Sequence, residues 1–308
     1  MGKKRIVFMG TPEIAVNYLQ ALVENNFSIV AVYTQPPRKK GRGLKLNKSP
    51  IHIFAENFGI PTYDSTNFQL SEIIEKFKNL KPDLVVVMGY GVIIPKLILK
   101  IPKYGFINIH VSLLPRWRGA APIEHAILNG DNKTGISIFQ IEEKLDTGPI
   151  LDFKEVEIKK NYNKAELSSE LNINGTKLLI DLLPRLFKSN VKEIKQDSSQ
   201  ATYAKKITPE LRKINFNQDV NSVYNHIRAF APRPSAWFIL NNSRISIIAC
   251  SKEICKANAS SIINDKFHIG CTDGKIIPKI IQREGKKPME IKEFLRGFKF
   301  KINQKVND

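Results

Sequence analysis

The chain has 308 residues, 42% of them hydrophobic and 25% charged, which predicts two globular domains and excludes a collagen-like or largely disordered protein. Its three cysteines are too few for a disulfide framework and indicate a reducing compartment, and its most apolar stretch, residues 84–94, is too short to cross a membrane. The 48 Lys and Arg residues outnumber the 29 Asp and Glu residues, and the net charge of +19 favours nucleic acid over a membrane surface as the partner.

The first half of the chain alternates strand and helix patterns. Helices are predicted after residue 12, at 121–129 and at 164–187, and strands at residues 5–9, 28–33, 83–88, 105–110, 136–140 and 150–156. The apolar run at 84–87 is typical of a strand buried on both faces of a parallel sheet. These βα units predict a Rossmann-like, doubly wound, mostly parallel α/β sheet with its ligand crevice at the carboxyl ends of the strands. Because the first strand leaves no room for a signal peptide, we expect a cytoplasmic protein.

A polar stretch at residues 189–200 interrupts these patterns and predicts a linker. Beyond it lie one helix pattern, at 219–229, and short strand patterns separated by turn residues at 241–242 and 273–274. Several short strands of this kind predict a small OB-like β-barrel, an architecture that commonly binds nucleic acid. The predicted organisation is an α/β domain over 1–188, a linker over 189–205 and a C-terminal β-barrel domain, suited to nucleic acid, over 206–308.

Residues 10–12, Gly-Thr-Pro, stand where a dinucleotide-binding loop would follow the first strand. A single glycine does not make the Gly-x-Gly-x-x-Gly fingerprint, and proline at a helix start is typical of a tight turn. The pattern therefore disfavours a nicotinamide-dependent dehydrogenase.

Asn108 and His110 lie two residues apart at the end of a predicted strand. At that spacing the two side chains point to the same face, so both would project into the crevice. Asp146 follows in a predicted turn. An amide donor, a base that titrates near neutral pH and a carboxylate that orients the base suit acyl transfer through a tetrahedral intermediate. Spacing alone leaves open a structural strand-end histidine and a turn-forming aspartate.

Longer motifs surround these residues. Ser-Leu-Leu-Pro occupies residues 112–115, Arg-Gly-Ala-Ala-Pro residues 118–122, and Asp-Thr-Gly begins at Asp146. With Asn-x-His, this set resembles the tetrahydrofolate-dependent formyltransferases, and the resemblance covers nearly the whole chain, including Thr-Tyr-Ala-Lys-Lys-Ile at 202–207. Val111 departs from the family, in which glycine is common at that position.

The resemblance implies a reaction with two substrates. The donor would be 10-formyltetrahydrofolate, and the acceptor would be the α-amino group of methionine on methionyl initiator tRNA. Asn108 would donate a hydrogen bond to the oxyanion, His110 would manage the proton, and Asp146 would hold His110. Neither a metal nor a nicotinamide is implied. The implied folate-binding residues are Ser112, Leu113, Leu114 and Pro115, with the turn Gly89, Tyr90 and Gly91 as a wall of the pterin pocket.

Two stretches of the chain are strongly basic. Residues 36–48 contain no acidic residue, and the resemblance implies that this loop contacts the acceptor stem. The alternatives for such a run are a solvated loop or an apparent nuclear-localisation signal. Residues 275–301 are typical of a surface that tracks a nucleic-acid backbone. The predicted tRNA-binding residues are Arg38, Lys39, Lys40, Arg42, Lys45, Lys286 and Lys287.

Two other functions share part of this pattern. A folate-dependent formyltransferase for a small amine, such as an amino sugar or a nucleotide precursor, would keep Asn108, His110 and Asp146 but would not need the basic stretches. A non-catalytic RNA-binding protein on this fold would not need the three polar residues. We expect no metal site, because the spacing of the cysteines and His268 fits no compact zinc finger. We also expect a monomer.

Overall fold

The computed structural model describes residues 2–40, 45–64, 67–68 and 70–307. The chain forms two compact units, each made of three segments. The first comprises Met1–Gly119, Thr134–Val156 and Ser169–Tyr203, and the second comprises Ala120–Lys133, Glu157–Ser168 and Ala204–Asp308. The sequence-based boundaries divide the chain into consecutive pieces instead, and they stay a prediction.

Regular elements cover most of the described chain. Up to residue 187 they are, in order, β1 (Arg5–Gly10), α1 (Glu13–Glu24), β2 (Ser28–Tyr33), β3 (Arg38–Lys40), β4 (Lys45–Asn47), α2 (Pro50–Asn57), β5 (Thr62–Tyr63), α3 (Ser71–Asn79), β6 (Leu84–Met88), α4 (Lys96–Leu99), β7 (Phe106–His110), β8 (Arg118–Gly119), α5 (Pro122–Leu128), β9 (Lys133–Gln140), β10 (Ile150–Glu157) and α6 (Lys164–Phe187). Beyond it they are β11 (Tyr203–Ala204), α7 (Val220–Phe230), β12 (Ala236–Leu240), β13 (Ser243–Ile254), β14 (Ile269–Gly270), β15 (Gly274–Arg283), β16 (Met289–Glu290) and α8 (Ile291–Gly297), with 3₁₀ turns at Ser198–Gln200 and Glu210–Arg212.

Among the described residues, seven strands form one sheet in the order β10-β9-β7-β6-β1-β2-β5. Strands β1, β2, β5, β6 and β7 pair in parallel, whereas β9 runs antiparallel to β7. The chain builds outward from β1 to β5 and then returns to the other side of β1 with β6, so the strand order reverses between β1 and β6. The predicted doubly wound, mostly parallel sheet is confirmed. Ligands of such sheets bind at the carboxyl ends of the strands beside the reversal.

Local sequence explains where several elements lie. Every residue of β6 is buried, as expected for a central strand of a parallel sheet. Helix α6 begins at a capping box: Asn163 Oδ1 accepts hydrogen bonds from the backbone N–H groups of Ala165 and Glu166, and Glu166 accepts one from Asn163 N. Asn163 is therefore the N-cap of this helix.

The second unit contains an antiparallel sheet in the order β12-β13-β15-β14, with β16 on β15. Asn241 and Asn242 join β12 to β13 with φ angles of 50° and 55°, the left-handed conformation that a two-residue hairpin turn requires and that asparagine tolerates. The sheet and α7 enclose an apolar core that includes Phe216, Phe238 and Phe267. The prediction of a small barrel-like β domain after the α/β domain is confirmed.

The basic segment 36–48, predicted as a loop, differs from that prediction at its ends. Strands β3 and β4 form a short antiparallel hairpin, in which Arg38 pairs with Asn47 and Lys39 with Leu46. A run of lysines carries no alternation of apolar and polar residues, so the pattern gives no sign of strands that form through backbone pairing.

Candidate active site

Asn108 lies near the carboxyl end of β7, where its neighbours are Val87 in β6 and Phe139 in β9. Its side chain is half-buried. Within the described parts of the chain its carboxamide makes no hydrogen bond. The amide N–H groups are therefore available to a bound molecule at the edge of the sheet where a ligand is expected.

His110, two residues further along β7, is buried and has a partner on each ring nitrogen. Nε2 lies 2.8 Å from the carbonyl oxygen of Trp117. Nδ1 lies 3.9 Å from Oδ2 of Asp146. A carbonyl oxygen only accepts hydrogen bonds, so Nε2 donates and Nδ1 is the nitrogen left to gain or release a proton. The second distance exceeds that of a hydrogen bond but is short enough for an ion pair when the ring is charged.

Asp146 is buried, and its backbone is in the left-handed region at φ 52°. Its Oδ2 accepts a hydrogen bond of 2.8 Å from the backbone N–H of Gly119. This bond turns the carboxylate toward the β8 end of the 112–119 loop and toward His110. The structure thus brings together His110 and Asp146, which are 36 residues apart in sequence, and places Asn108 beside them on β7.

The predicted folate segment, residues 112–115, is held by its own polar groups. Ser112 Oγ donates to the carbonyl of Arg116, while Ser137 Oγ donates to Ser112 O and accepts from Leu114 N. Ser112 is fully buried, and Leu114 packs with Phe139. Leu113 and Pro115 are the partly exposed members of the segment.

The predicted pterin wall, residues 89–91, is a turn with two glycines at φ 59° and 71°. The positive φ of Gly91 disfavours a residue with a side chain, and a Cβ there would also lie 2.6 Å from Nε2 of Gln35, so glycine is favoured. The Tyr90 ring is buried in the core, where burial raises the pKa of its hydroxyl. The Tyr90 carbonyl accepts hydrogen bonds from Gln35 Nε2 at 2.8 Å and Thr11 Oγ1 at 3.2 Å. This turn can therefore offer a ligand its backbone and glycine surfaces rather than the tyrosine ring.

The predicted tRNA-binding residues lie at two places. Arg38 and Lys39 are exposed on β3, and Arg38 donates to the Gln35 carboxamide. Lys40 and Lys45 face each other across the hairpin through their backbones. Arg42 lies outside the described residues. Lys286 and Lys287 are exposed in the connection between β15 and β16.

Sequence reasoning missed a buried amide next to the site. Gln196, placed in the linker, is only 8% exposed and contacts both Arg118 and the Asp146 turn. A glutamine in a polar run has no distinguishing pattern, so no signal in the sequence marks it. Thr202 in the same segment accepts a hydrogen bond of 2.9 Å from the backbone N–H of Trp117.

Among the described residues, no group of three or more His, Cys, Asp or Glu side chains is arranged to hold a metal ion. No described helix has the length and apolar character needed to span a bilayer.

The chain matches two family models: one described as formyl transferase over residues 4–183 and one as formyl transferase, C-terminal domain, over residues 206–299. It is 44% identical over 301 residues to the methionyl-tRNA formyltransferase of Wolbachia sp. subsp. Drosophila simulans (strain wRi), which covers 98% of this chain and 99% of the relative. The methionyl-tRNA formyltransferase of Pelagibacter ubique (strain HTCC1062) is 43% identical over 296 residues, 96% of both chains.

Solved structures share the fold. The N-formyltransferase of Helicobacter canadensis in complex with folinic acid and dTDP-3-aminofucose has a TM-score of 0.68 at 24% identity, over 90% of this chain and 99% of that chain. At this identity the likeness shows the fold alone.

Proposed function

We propose that this chain, which belongs to the formyl transferase family, transfers the formyl group of 10-formyltetrahydrofolate to the α-amino group of methionine on initiator tRNA, for translation initiation. The observation that carries the chemistry is the position of the Asn108 carboxamide, which makes no hydrogen bond to a described residue, two residues before His110, whose ring faces Asp146. The choice of acceptor is supported by relatives named methionyl-tRNA formyltransferase along almost the full length of the chain.

The reaction forms one C–N bond and breaks another. The amine nitrogen of the methionyl group attacks the formyl carbon, and the carbonyl oxygen becomes an oxyanion. When this intermediate collapses, the bond from the formyl carbon to N10 of the folate breaks, and N10 receives the proton that the amine has lost. The products are formylmethionyl-tRNA and tetrahydrofolate.

Three side chains have separate roles in this formyl transfer. The Asn108 amide donates a hydrogen bond to the oxyanion, an interaction strongest where the negative charge develops. His110 takes the amine proton at Nδ1, because Nε2 is held by the Trp117 carbonyl, and then delivers it to N10. Asp146, 3.9 Å from Nδ1, stabilises the charged ring between these two steps.

Binding involves the remaining predicted residues. We assign folate contact to Leu113 and Pro115 and to the backbone of the 89–91 turn, while the buried Ser112, Leu114 and Tyr90 hold these loops in shape. The basic residues of the β3–β4 hairpin and the exposed Lys286 and Lys287 provide positive charge for the phosphates of tRNA. The monomeric state and the cytoplasmic location stay predictions.

The test is formyl transfer by the purified chain with 10-formyltetrahydrofolate and three acceptors: methionyl initiator tRNA, methionyl elongator tRNA and a nucleotide-linked amino sugar. Rapid formylation of the initiator tRNA is the expected result. Transfer to the amino sugar but not to tRNA would identify a small-amine formyltransferase. Binding of tRNA without transfer to any acceptor would identify an RNA-binding protein that has lost catalysis.

A further inference from the structure

We propose that Gln196 is a positioning residue for the Asp146 carboxylate, so that the segment after α6 forms part of the catalytic apparatus. This inference rests on the function proposed above. It adds a residue from outside the catalytic motifs, in a stretch that the sequence pattern assigns to a linker.

The Gln196 carboxamide connects two parts of the first unit. Its Nε2 donates to the carbonyl oxygens of Asp146 at 2.9 Å and Gly148 at 2.7 Å. Its Oε1 accepts from Nε and Nη2 of Arg118 at 3.1 and 2.8 Å. All four bonds are buried, in surroundings where hydrogen bonds are strong and their loss leaves unpaired polar groups.

The Asp146 backbone is left-handed, a conformation that aspartate tolerates but that glycine adopts at less cost, so bonds to this turn help to hold it. Gly119 N donates a hydrogen bond to the Asp146 carboxylate, and Gln196 donates one to the Asp146 main chain. Arg118, which contacts Gln196, and Gly119, which contacts Asp146, are consecutive, so both sets of hydrogen bonds start from the short strand β8. Without the hydrogen bonds from Gln196, the Asp146 backbone is free to rotate, and Oδ2 moves relative to His110.

Arg118 determines which way the Gln196 amide points. Arg118 is 2% exposed, and its guanidinium forms no ion pair with a carboxylate among the described residues. The guanidinium has only donors, so it requires Oε1 and leaves Nε2 for the two carbonyl oxygens of the turn. Glutamate at this position would satisfy Arg118 better than glutamine, yet it would bring an oxygen against the carbonyls of Asp146 and Gly148.

The other partner of His110 depends on the same segment. Thr202 Oγ1 accepts from Trp117 N, and Trp117 O is the acceptor for His110 Nε2. Residues 196–202 therefore support both sides of the His110 ring, Nδ1 through Asp146 and Nε2 through Trp117. A linker whose sole purpose is to connect two domains would not supply these bonds.

The contrast between Gln196→Glu and Gln196→Ala tests the proposal. Glutamate keeps the contact with Arg118, so the melting temperature should fall less than in Gln196→Ala, and kcat should fall by about tenfold to a hundredfold, the scale of a small misplacement of a catalytic group. Alanine should lower both. The KM for 10-formyltetrahydrofolate should change by no more than about twofold in either folded variant, a difference close to the resolution of such comparisons. Gln200→Ala is the matched control, because among the described residues this exposed amide on the same segment hydrogen-bonds only to Asp197.

A positioning role also makes the substitutions non-additive. Once Asp146 is replaced by Asn, adding Gln196→Glu should lower kcat by no more than about a further twofold, because the group that Gln196 positions has lost its charge. The same fractional loss in both backgrounds, or a Gln196→Glu enzyme with unmodified kcat, overturns the proposal. If the glutamate variant does not fold, the alanine variant gives the same comparison. Failure of the unmodified chain to formylate initiator tRNA would overturn the proposed function instead, and with it this role.

Discussion

Nε2 of His110 lies 2.8 Å from the backbone carbonyl oxygen of Trp117, an atom that can only accept a hydrogen bond. The lone pair of the neutral ring is therefore on Nδ1, the side that faces Asp146 Oδ2 at 3.9 Å. A proton taken up by His110 arrives next to a carboxylate, and the positive charge that it creates is stabilised where it forms. Trp117 thus fixes the direction of proton transfer through its main chain, although its ring lies elsewhere, under the Arg116 guanidinium.

Asp146→Asn removes the charge of this side chain but keeps its shape. Asparagine retains an oxygen that can accept from Gly119 N, so the loop should keep its form. The stabilisation of charged His110 is lost, and kcat should fall by about a hundredfold or more, the range of an acid–base contribution. Steady-state kinetics on initiator tRNA measure this, with the melting temperature as control. A folded variant with nearly normal kcat would contradict the role of Asp146.

Asn108→Ala removes the proposed oxyanion donor. We expect kcat to fall by about two to three orders of magnitude, as for other single donors of this kind. The KM for the formyl donor should change little, because the bond strengthens only as the oxyanion forms. Asn108→Asp is the matched variant of equal size: it lacks the N–H donor and should be at least as impaired. Normal turnover in either variant would show that another group stabilises the intermediate.

Much of the fold could be predicted because it is encoded locally. The buried run of β6 and the Asn241–Asn242 turn are features of short windows of sequence, and the structure has both where they were predicted. Asn108 and His110 share one strand, so their common face follows from the period of a strand. The fold and these two residues are thus accessible without coordinates.

The rest depends on contacts between distant residues or on the main chain. Gln196 is 78 positions from Arg118 and 50 from Asp146, and nothing in a polar segment distinguishes it from an exposed neighbour. The partner of His110 Nε2 is a backbone carbonyl, which every residue possesses. Burial of Tyr90 likewise depends on a core that buried residues of four strands form, and not on its two flanking glycines. Such features require the assembled structure.

The cap of α7 provides a test of stability in the second unit. Asp219 accepts hydrogen bonds from the N–H groups of Asn221 and Ser222, and the bonds from Ser222 hold the pKa of Asp219 below its ordinary value. A lowered pKa means that the carboxylate stabilises the folded state above the unfolded pKa, near 4, and that this stabilisation is lost as the pH falls. Asp219→Ala should lower the free energy of unfolding by about 1 kcal/mol at neutral pH and by less in acid.

Chemical denaturation of both proteins at pH 7 and in mild acid measures this difference. Asp219→Asn is the control, since asparagine also caps helices but does not titrate in this range. A deficit in Asp219→Ala that is constant with pH would show that the charged form has no special role in the cap.

Arg42→Leu tests the basic segment that joins β3 to β4. Arg42 itself lies outside the described residues, but the hairpin that leads to it is bound through Gln35 to the Tyr90 carbonyl in the proposed folate turn. If Arg42 positions the aminoacyl end, its loss should lower kcat/KM on initiator tRNA by about tenfold or more, the size of one hydrogen bond to a charged group. Folate binding should change far less. Equal fractional losses on initiator and elongator tRNA would mean that Arg42 makes only a phosphate contact.

Lys286 and Lys287 are expected to contribute to the affinity for tRNA without positioning its aminoacyl end. Their backbone is held by the bond from Gln282 Nε2 to Lys286 O, and their side chains are exposed. Changing both to Gln should weaken binding of any tRNA, while kcat at saturating tRNA should stay the same. The slope of log affinity against log salt concentration should become shallower, by up to ~0.9 for each duplex phosphate that is no longer neutralised. Lys76→Gln with Lys78→Gln removes the same charge from exposed positions on α3 and is the matched control. A salt slope that falls equally in both double variants would show that net charge, and not this connection between β15 and β16, determines the affinity.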